Sequence, residues 1–412
     1  MPTDETRSLL FIAGDVSGDL YTARLAGELR ARHPRWTLHA LGGPHLAEAI
    51  KGSGGSWLAD TDGCSAIGIL SAVKIFPRAV LLSCKLRNFL AQHRVDGVVL
   101  CDWGGFNCPH LSFFKKRGIP VLYYFPPRSW QRTGLAGLGI APLVNRVATP
   151  FEWSARRLSA AGSEAEWVGH PLLEAVPKAT RREELRREFG IDQKEKLIAL
   201  LPGSRISELK TLAPRMAEAS EILRRAHHAK FIVATLDSLA ARVRKFFPAS
   251  TRIVTGRAAD ALLACDAAVV KTGTATLEAS VIGAPQVAVY DADWPRRLEW
   301  LFLWMWKKIP FIAMPNIISQ RMAVPELLGM DCNAEAIAIA VGELLENDVQ
   351  RARMLADYEE VRRQLGAGLP VSATHRTACM VEEMLGVQAI AGKSTGRING
   401  SQPRSFSKPG HQ

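Results

Sequence analysis

The sequence predicts an α/β fold of two consecutive domains, each a doubly wound parallel sheet, facing one another across a cleft. Three observations predict it. Short apolar runs alternate with longer helical patterns along most of the 412 residues. The runs are apolar at successive positions, which suits strands covered by helices on both faces. The alternation breaks once, at Gly169-His170-Pro171 and on through Pro177 into the charged run 181–188, and then restarts.

In chain order, strands are expected first at 9–13, 37–41, 97–101, 121–125, 146–149 and 166–168, with helical stretches such as 20–32 and 106–117 between them. A second set is expected at 197–201, 230–234, 252–254, 267–270 and 286–289. Residues 333–387 read as helices only. These patterns give Rossmann-like domains at 1–175 and 176–387, the second closed by the terminal helices. Residues 388–412 are rich in Gly, Ser, Pro, Lys and Arg and offer almost nothing apolar to bury, so a disordered tail is expected there. In open α/β sheets ligands bind beyond the carboxyl ends of the strands. Sites are therefore expected just after Ala13, Cys101, Phe125, Leu201, Val270 and Val289.

Hydrophobic residues make up 47% of the chain, ample for a sizeable core. The formal net charge of +12 favours acidic partners: phosphorylated substrates, anionic lipid headgroups or nucleic acid. No zinc-binding spacing and no aromatic RNA-binding signature is present, so nucleic acid is the weakest of the three. The seven cysteines are scattered, without a C-x-x-C pair, and read as reduced, mostly buried thiols of a cytoplasmic protein. The first apolar run, 9–14, is too short for a signal peptide and lacks its basic start. No stretch approaches the roughly 20 apolar residues of a membrane span.

Four turns carry the candidate chemistry. Ala13-Gly14-Asp15-Val16-Ser17-Gly18-Asp19 follows the first strand. Its glycines permit a tight turn, and Ser17 or Asp19 can cap the next helix. Asp15 and Asp19 suit sugar hydroxyls better than phosphate, although a plain turn and cap would read the same way. Asp102 ends an apolar strand in Cys101-Asp102-Trp103-Gly104-Gly105-Phe106-Asn107. A carboxylate there can take a proton from an attacking hydroxyl or merely cap the following helix. In Leu201-Pro202-Gly203-Ser204-Arg205, backbone N–H groups at Gly203 and Ser204 can meet a phosphate, and Arg205 can neutralise a diphosphate. The alternative is an exposed Arg205 paired with Glu208. In Lys271-Thr272-Gly273-Thr274-Ala275-Thr276-Leu277-Glu278, small residues around Gly273 and Thr274 allow close phosphate approach, and Glu278 suits a ribose hydroxyl. A structural capping box would look similar. Met314-Pro315-Asn316-Ile317-Ile318, with Pro325-Glu326-Leu327-Leu328 beyond, reads from spacing alone as a loop and a short helix.

Two further segments bear on lipid contact. Residues 294–308 hold four of the ten tryptophans flanked by Arg and Lys, a pattern suited to the bilayer interface, with a buried helix as the alternative. Residues 66–73 are apolar and run into Lys74-Ile75-Phe76-Pro77-Arg78. They read as an acyl-binding surface or as core.

Taken together, these motifs resemble the lipid-A-disaccharide synthase family, glycosyltransferase family 19. The likeness runs in unbroken order from about Leu9 to Val387, through AGDVSGD at 13–19, LGGP at 41–44, D-x-x-x-FN at 102–107, GHPL at 169–172, LPGSR at 201–205, TGTATLE at 272–278, and MPNII with PELL near 320. The resemblance implies a glycosyltransferase B fold and a reaction that needs no metal and no cofactor. It implies that UDP-2,3-diacylglucosamine is joined to 2,3-diacylglucosamine 1-phosphate, with release of UDP, at the cytoplasmic face of the inner membrane. Asp102 matches the family's general base, and Arg205 an arginine important for activity. Ser17 lies in the matching N-terminal loop, with Asp15, Asp19 and Asn107 on the acceptor side. Gly273, Thr274 and Glu278 match the nucleotide-binding turn and helix, and Asn316 a loop close to the nucleotide. A homodimer stays open.

The chain departs from the family pattern at three places. Gly104-Gly105 stands where the family has Pro-Asp. Pro126-Pro127-Arg128-Ser129-Trp130-Gln131-Arg132 replaces Ser-Pro-x-x-Trp-Ala-Trp, and Ile67-Gly68-Ile69-Leu70-Ser71 replaces a Met-Gly segment followed by Glu. All three lie in the acceptor-side domain. Two rival readings follow: a related transferase with another acceptor, or a silent nucleotide-sugar or lipid-binding protein.

Overall fold

The computed structural model describes residues 6–61, 63–64, 69–133, 137–291 and 310–387. The Trp-rich segment 294–306, most of the 66–73 run and the expected tail 388–412 lie outside the described residues or have undescribed side chains.

The first half contains β1 Ser8–Ala13, α1 Val16–Arg32, β2 Thr37–Leu41, α2 Pro44–Ala49, β3 Trp57–Ala59, α3 Ile69–Gln92, β4 Gly97–Cys101, α4 Gly104–Lys116, β5 Val121–Tyr124, β6 Arg146–Thr149, α5 Glu152–Ala160 and β7 Ala165–Trp167. Its strands form one parallel sheet in the order β3-β2-β1-β4-β5-β6-β7. Apolar residues at successive positions serve both faces. Leu9, Phe11 and Ala13 enter a core with α1, while Leu10 and Ile12 enter another with α3 and α4.

After the short helices α6 Leu172–Ala175 and α7 Arg182–Glu188 the pattern repeats. It runs β8 Leu197–Leu201, α8 Ile206–His227, β9 Lys230–Thr235, α9 Asp237–Val243, β10 Arg252–Thr255, α10 Ala258–Ala264, β11 Ala267–Lys271, α11 Thr274–Ile282, β12 Gln286–Tyr290, α12 Met314–Ser319 and β13 Glu326–Leu328. The second sheet is also parallel, in the order β10-β9-β8-β11-β12-β13. Ile198 and Leu200 face one core, and Leu197, Ala199 and Leu201 the other. In each sheet the first strand lies between the second and the fourth, so each has a switch point where chain direction across the sheet reverses. The switch points fall between β1 and β4 and between β8 and β11.

The edge strands β3 and β13 were not expected from the sequence. Each has three residues, as does the edge strand β7 that was expected, so periodicity is a weak signal at this length. Glu326–Leu328, read from the sequence with the short helix, is an edge strand; the helix is Met314–Ser319.

The chain closes with α13 Ala334–Glu346, α14 Asp348–Gln364 and α15 Ala373–Met384. Residues of α15 were expected to close the second domain, yet α15 packs on α1, β5 and β6. Fully buried Glu382 fixes it there, accepting from the Arg32 guanidinium at 3.2 Å and pairing with His33 at 2.8 Å. Chain thus crosses between the halves twice, before α6 and after α14. At the crossings backbone lies on backbone: a Cβ on Gly366 would come within 2.9 Å of the Gly169 Cα. The His170 N–H donates to the Leu365 carbonyl at 2.8 Å. Leu277, Val281, Ile318, Val361 and Leu365 join the α1-side core of the first sheet, so the halves share apolar packing.

Candidate active site

The base-bearing loop follows β4. Asp102 and Trp103 both have positive φ, 43° and 46°, unusual for residues other than glycine. The surroundings enforce this. The Asp102 N–H donates to the Phe125 carbonyl at 3.1 Å. Its own carbonyl accepts from the Tyr123 hydroxyl at 2.7 Å and from Asn107 Nδ2 at 2.9 Å. The Trp103 ring stacks on Phe106 and lies against Gly14, where any Cβ would fall 2.1 Å from the indole. That contact, rather than phosphate approach, explains the first glycine of the AGDVSGD turn.

Asp102 opens onto the cleft, with a carboxyl pushed up to about 7. Desolvation by the surrounding walls is the main cause, and the neighbouring Asp15 carboxylate adds to it. Asp15 is itself raised by burial, while Arg205 of the opposite half pulls the other way. The two halves therefore present opposite charges to one another here. Glu278, on α11, is also pushed up to about 7, by desolvation alone. It faces Tyr21 of α1, whose hydroxyl is raised by burial, Glu278 and Asp15.

On the second sheet, Gly203, Ser204 and Arg205 follow β8, and Lys271 ends β11. Glu208, in the first turn of α8, gathers them. Its carboxylate accepts from the Ser204 N–H at 3.0 Å and the Arg205 N–H at 3.3 Å. It also pairs with the Arg205 guanidinium at 3.1 Å and Lys271 Nζ at 2.8 Å. Burial opposes its charge, but the two cations outweigh burial and hold its carboxyl below the usual range. Gly203, at φ 111°, makes room: a Cβ there would sit 2.5 Å from the Glu208 carboxylate. The backbone donors expected to meet phosphate at Ser204 are thus turned to Glu208. The Arg205–Glu208 pairing weighed as an alternative is present, with the guanidinium still partly open.

Gly273 caps α11 at φ 144° and ψ −157°, a conformation open only to glycine, and no side chain caps the helix. The first N–H groups of α11 therefore lie uncapped beside Thr274, which is exposed. Thr276 is buried and turns its hydroxyl to the Gly273 carbonyl at 2.7 Å.

The cap of α1 and three expected contacts fall elsewhere. Asp15, not Ser17 or Asp19, caps α1, accepting from the Gly18 N–H at 2.7 Å. Ser17 sits half-buried in the first turn behind it. Asp19 is buried and holds the start of α2, accepting from the His45 and Leu46 N–H groups at 2.9 and 3.2 Å. The LGGP turn belongs to the same unit, because a Cβ on Gly43 would come 2.8 Å from the Asp19 carboxylate. Asn107 is fully buried and supports the Asp102 loop rather than lining the cleft. Asn316 is fully buried too. Its amide bonds the Val324 carbonyl and N–H at 2.9 and 2.8 Å and the Glu326 carboxylate at 2.7 Å, which leaves it no face for a nucleotide. Sequence reasoning did not single out Lys271 or Glu208 as site residues. The signal for Lys271 was the one used for Asp102, a charge ending a buried strand at a switch point.

The family model described as Lipid-A-disaccharide synthetase matches residues 9–381. The chain belongs to the lipid-A-disaccharide synthetase family. A family member from Anaeromyxobacter dehalogenans (strain 2CP-C), named lipid-A-disaccharide synthase, is 36% identical over 389 residues, 93% of this chain and 98% of the relative. One from Syntrophus aciditrophicus (strain SB) is 32% identical over 383 residues, 91% and 97% of the two chains. Solved structures share the fold at low identity. S. aureus MnaA, solved with UDP, has a TM-score of 0.64 at 11% identity and covers 95% of this chain and 100% of its own. Acinetobacter baumannii MurG has 0.53 at 14%, covering 92% and 99%. Family membership and this fold make the chain a glycosyltransferase-type enzyme of two Rossmann-like sheets.

Proposed function

We propose that this chain joins UDP-2,3-diacylglucosamine to 2,3-diacylglucosamine 1-phosphate with inversion and releases UDP. The carrying observation is Asp102, a carboxyl pushed up to about 7 on a strained loop at the first switch point. A group of that kind is half-ionised near neutral pH and takes a proton readily. It accepts the proton of the attacking acceptor hydroxyl as the new bond to the anomeric carbon forms and the bond to UDP breaks. The departing diphosphate gains charge opposite, where Arg205, Lys271 and the uncapped start of α11 supply positive potential. Glu278 accepts from a ribose hydroxyl. Relatives named lipid-A-disaccharide synthase over nearly the whole chain support a reaction that forms that disaccharide.

We also propose peripheral attachment to the inner membrane at its cytoplasmic face. Among the described residues no helix is long and apolar enough to cross a membrane. On α3, Phe76 is 67% exposed and Leu81 64%, with Val80 one turn beyond Phe76. Such a face suits shallow insertion among lipid headgroups.

Mass spectrometry of products from the purified protein and the two acylated sugars tests the reaction. A tetra-acylated disaccharide phosphate with stoichiometric UDP is expected. UDP binding with no disaccharide would support a silent binding protein instead.

A further inference from the structure

Six described residues other than glycine have positive φ: Asp102, Trp103, Phe125, Arg128, His228 and Gln320. His228 and Gln320 end α8 and α12 as C-caps, where the left-handed conformation is ordinary. The other four lie on the two loops that leave the neighbouring strands β4 and β5. Backbone strain of this kind persists only where the surroundings enforce it, and it gathers at functional sites. Asp102, Trp103 and Phe125 are accounted for: they form the base loop and its backbone support. Arg128 is not.

Arg128 sits at φ 60° with its side chain exposed, and its guanidinium has no hydrogen-bond, ion-pair or ring partner among the described residues. The loop beneath it is held firmly. The Ser129 N–H donates to the Pro126 carbonyl at 3.2 Å, and the Gln131 N–H to the Arg128 carbonyl at 3.0 Å. Pro127 packs against Gly104, where a Cβ would fall 2.7 Å from the proline Cβ. Gly104 is two residues from Asp102, so the loop that carries Arg128 packs against the loop that carries the base.

Charge decides what that cation meets. The acceptor of the proposed reaction bears a phosphate of about two negative charges at neutral pH. Asp15 and Asp102 on the same side of the cleft repel it. The neighbouring arginines are engaged. Arg132 donates to the Ile318 carbonyl and to Gln364, both at 2.6 Å, and lies over the Trp153 ring. Arg157 donates to the Gln131 carbonyl at 2.5 Å, and Arg24 to the Glu174 carbonyl at 3.2 Å. Arg205 and Lys271 serve the opposite half. Arg128 remains.

We infer that Arg128 binds the phosphate group of the acceptor sugar and sets acceptor specificity. The inference rests on the transfer reaction proposed above. Its test compares kcat/KM of the full chain for the acceptor with and without its phosphate, in neutral detergent micelles. Wild type is expected to prefer the phosphorylated acceptor by about tenfold or more, as for a charge-assisted pair. In Arg128→Gln and Arg128→Gly the ratio falls toward one, through loss on the phosphorylated acceptor alone, with KM for the UDP-sugar unmoved. Glycine relieves the left-handed strain, so Arg128→Gly keeps a Tm at or above wild type, which separates lost recognition from lost folding. An unchanged ratio in an active enzyme overturns the inference. So does an unchanged ratio accompanied by weaker binding of both variants to phosphatidylglycerol vesicles, since the arginine then serves a lipid headgroup. If wild type transfers to neither acceptor, the reaction itself is rejected and this inference falls with it.

Discussion

At the scale of single residues, Asp102 is a carboxyl open to the cleft whose desolvating walls and neighbouring Asp15 oppose its ionisation. The folded value is raised, so stability is lost as pH rises above the ordinary 3.8, and the loss is complete above about 7. Asp102→Asn removes this penalty and keeps a residue tolerant of positive φ. Its Tm should exceed wild type at pH 8 and match it at pH 4, by calorimetry. Asp15 is the lever on the base. Removing its charge in Asp15→Asn lets Asp102 ionise more easily, so the acid limb of kcat/KM against pH should move to lower pH. A limb that stays in place or moves upward would show that Asp15 does not act on Asp102. The place of Asp102 at the end of an apolar strand was legible, while the choice between a base and a helix cap was left open by the sequence; in the structure no side chain caps the helix that follows. Asp19 looked equivalent in sequence, yet its oxygens serve the start of α2. Only the approach of the Gly43–Leu46 turn, distant in the chain, reveals that role.

At the scale of elements, several motifs are clamps as much as contacts. The Asn316–Glu326 pair ties α12 to β13, with Glu326 also accepting from the Ile312 and Ala313 N–H groups at 3.1 and 2.8 Å. Asn316→Ala leaves these buried groups partly unpaired and should cost about 2–3 kcal/mol by denaturant unfolding. UDP affinity should fall only as far as folding does. Direct nucleotide contact by Asn316 would instead weaken UDP binding in a fully folded variant. The long strands were readable from the chain because parallel strands buried on both faces are continuously apolar. β3 and β13 were not: each is three residues at a sheet edge, where pairing comes from neighbours already in place, although β7 of the same length was expected. The Glu208 cluster was half readable: its pairing with Arg205 follows helix spacing, while Lys271 arrives from another strand.

At the scale of the molecule, two sheets share one strand order, and groups of the two halves act on one another, Arg205 on Asp15 and Glu278 on Tyr21. A carboxyl raised to about 7 stands on one side, and Arg205 with Lys271 on the other. The break near residue 170 was visible as a proline- and glycine-rich interruption. The return of α15 to the first sheet was not, because helix periodicity carries no information about which sheet a helix covers. The shared packing makes the crossings a rigid seam. Gly366→Ala, which would press a Cβ on Gly169 at a φ of 97°, should lower Tm by several degrees in a thermal melt.

The central claim is that Asp102 takes the acceptor's proton while the diphosphate leaves toward the other half. The most direct measurement is the single-turnover transfer rate against pH, for wild type and Asp102→Asn, with UDP affinity measured alongside. The expected wild-type rate rises with pH to a plateau above about 7. The variant should be slower by about a hundredfold or more, without that limb, and with unchanged UDP affinity. A variant that keeps the wild-type rate and the same pH limb would contradict the account.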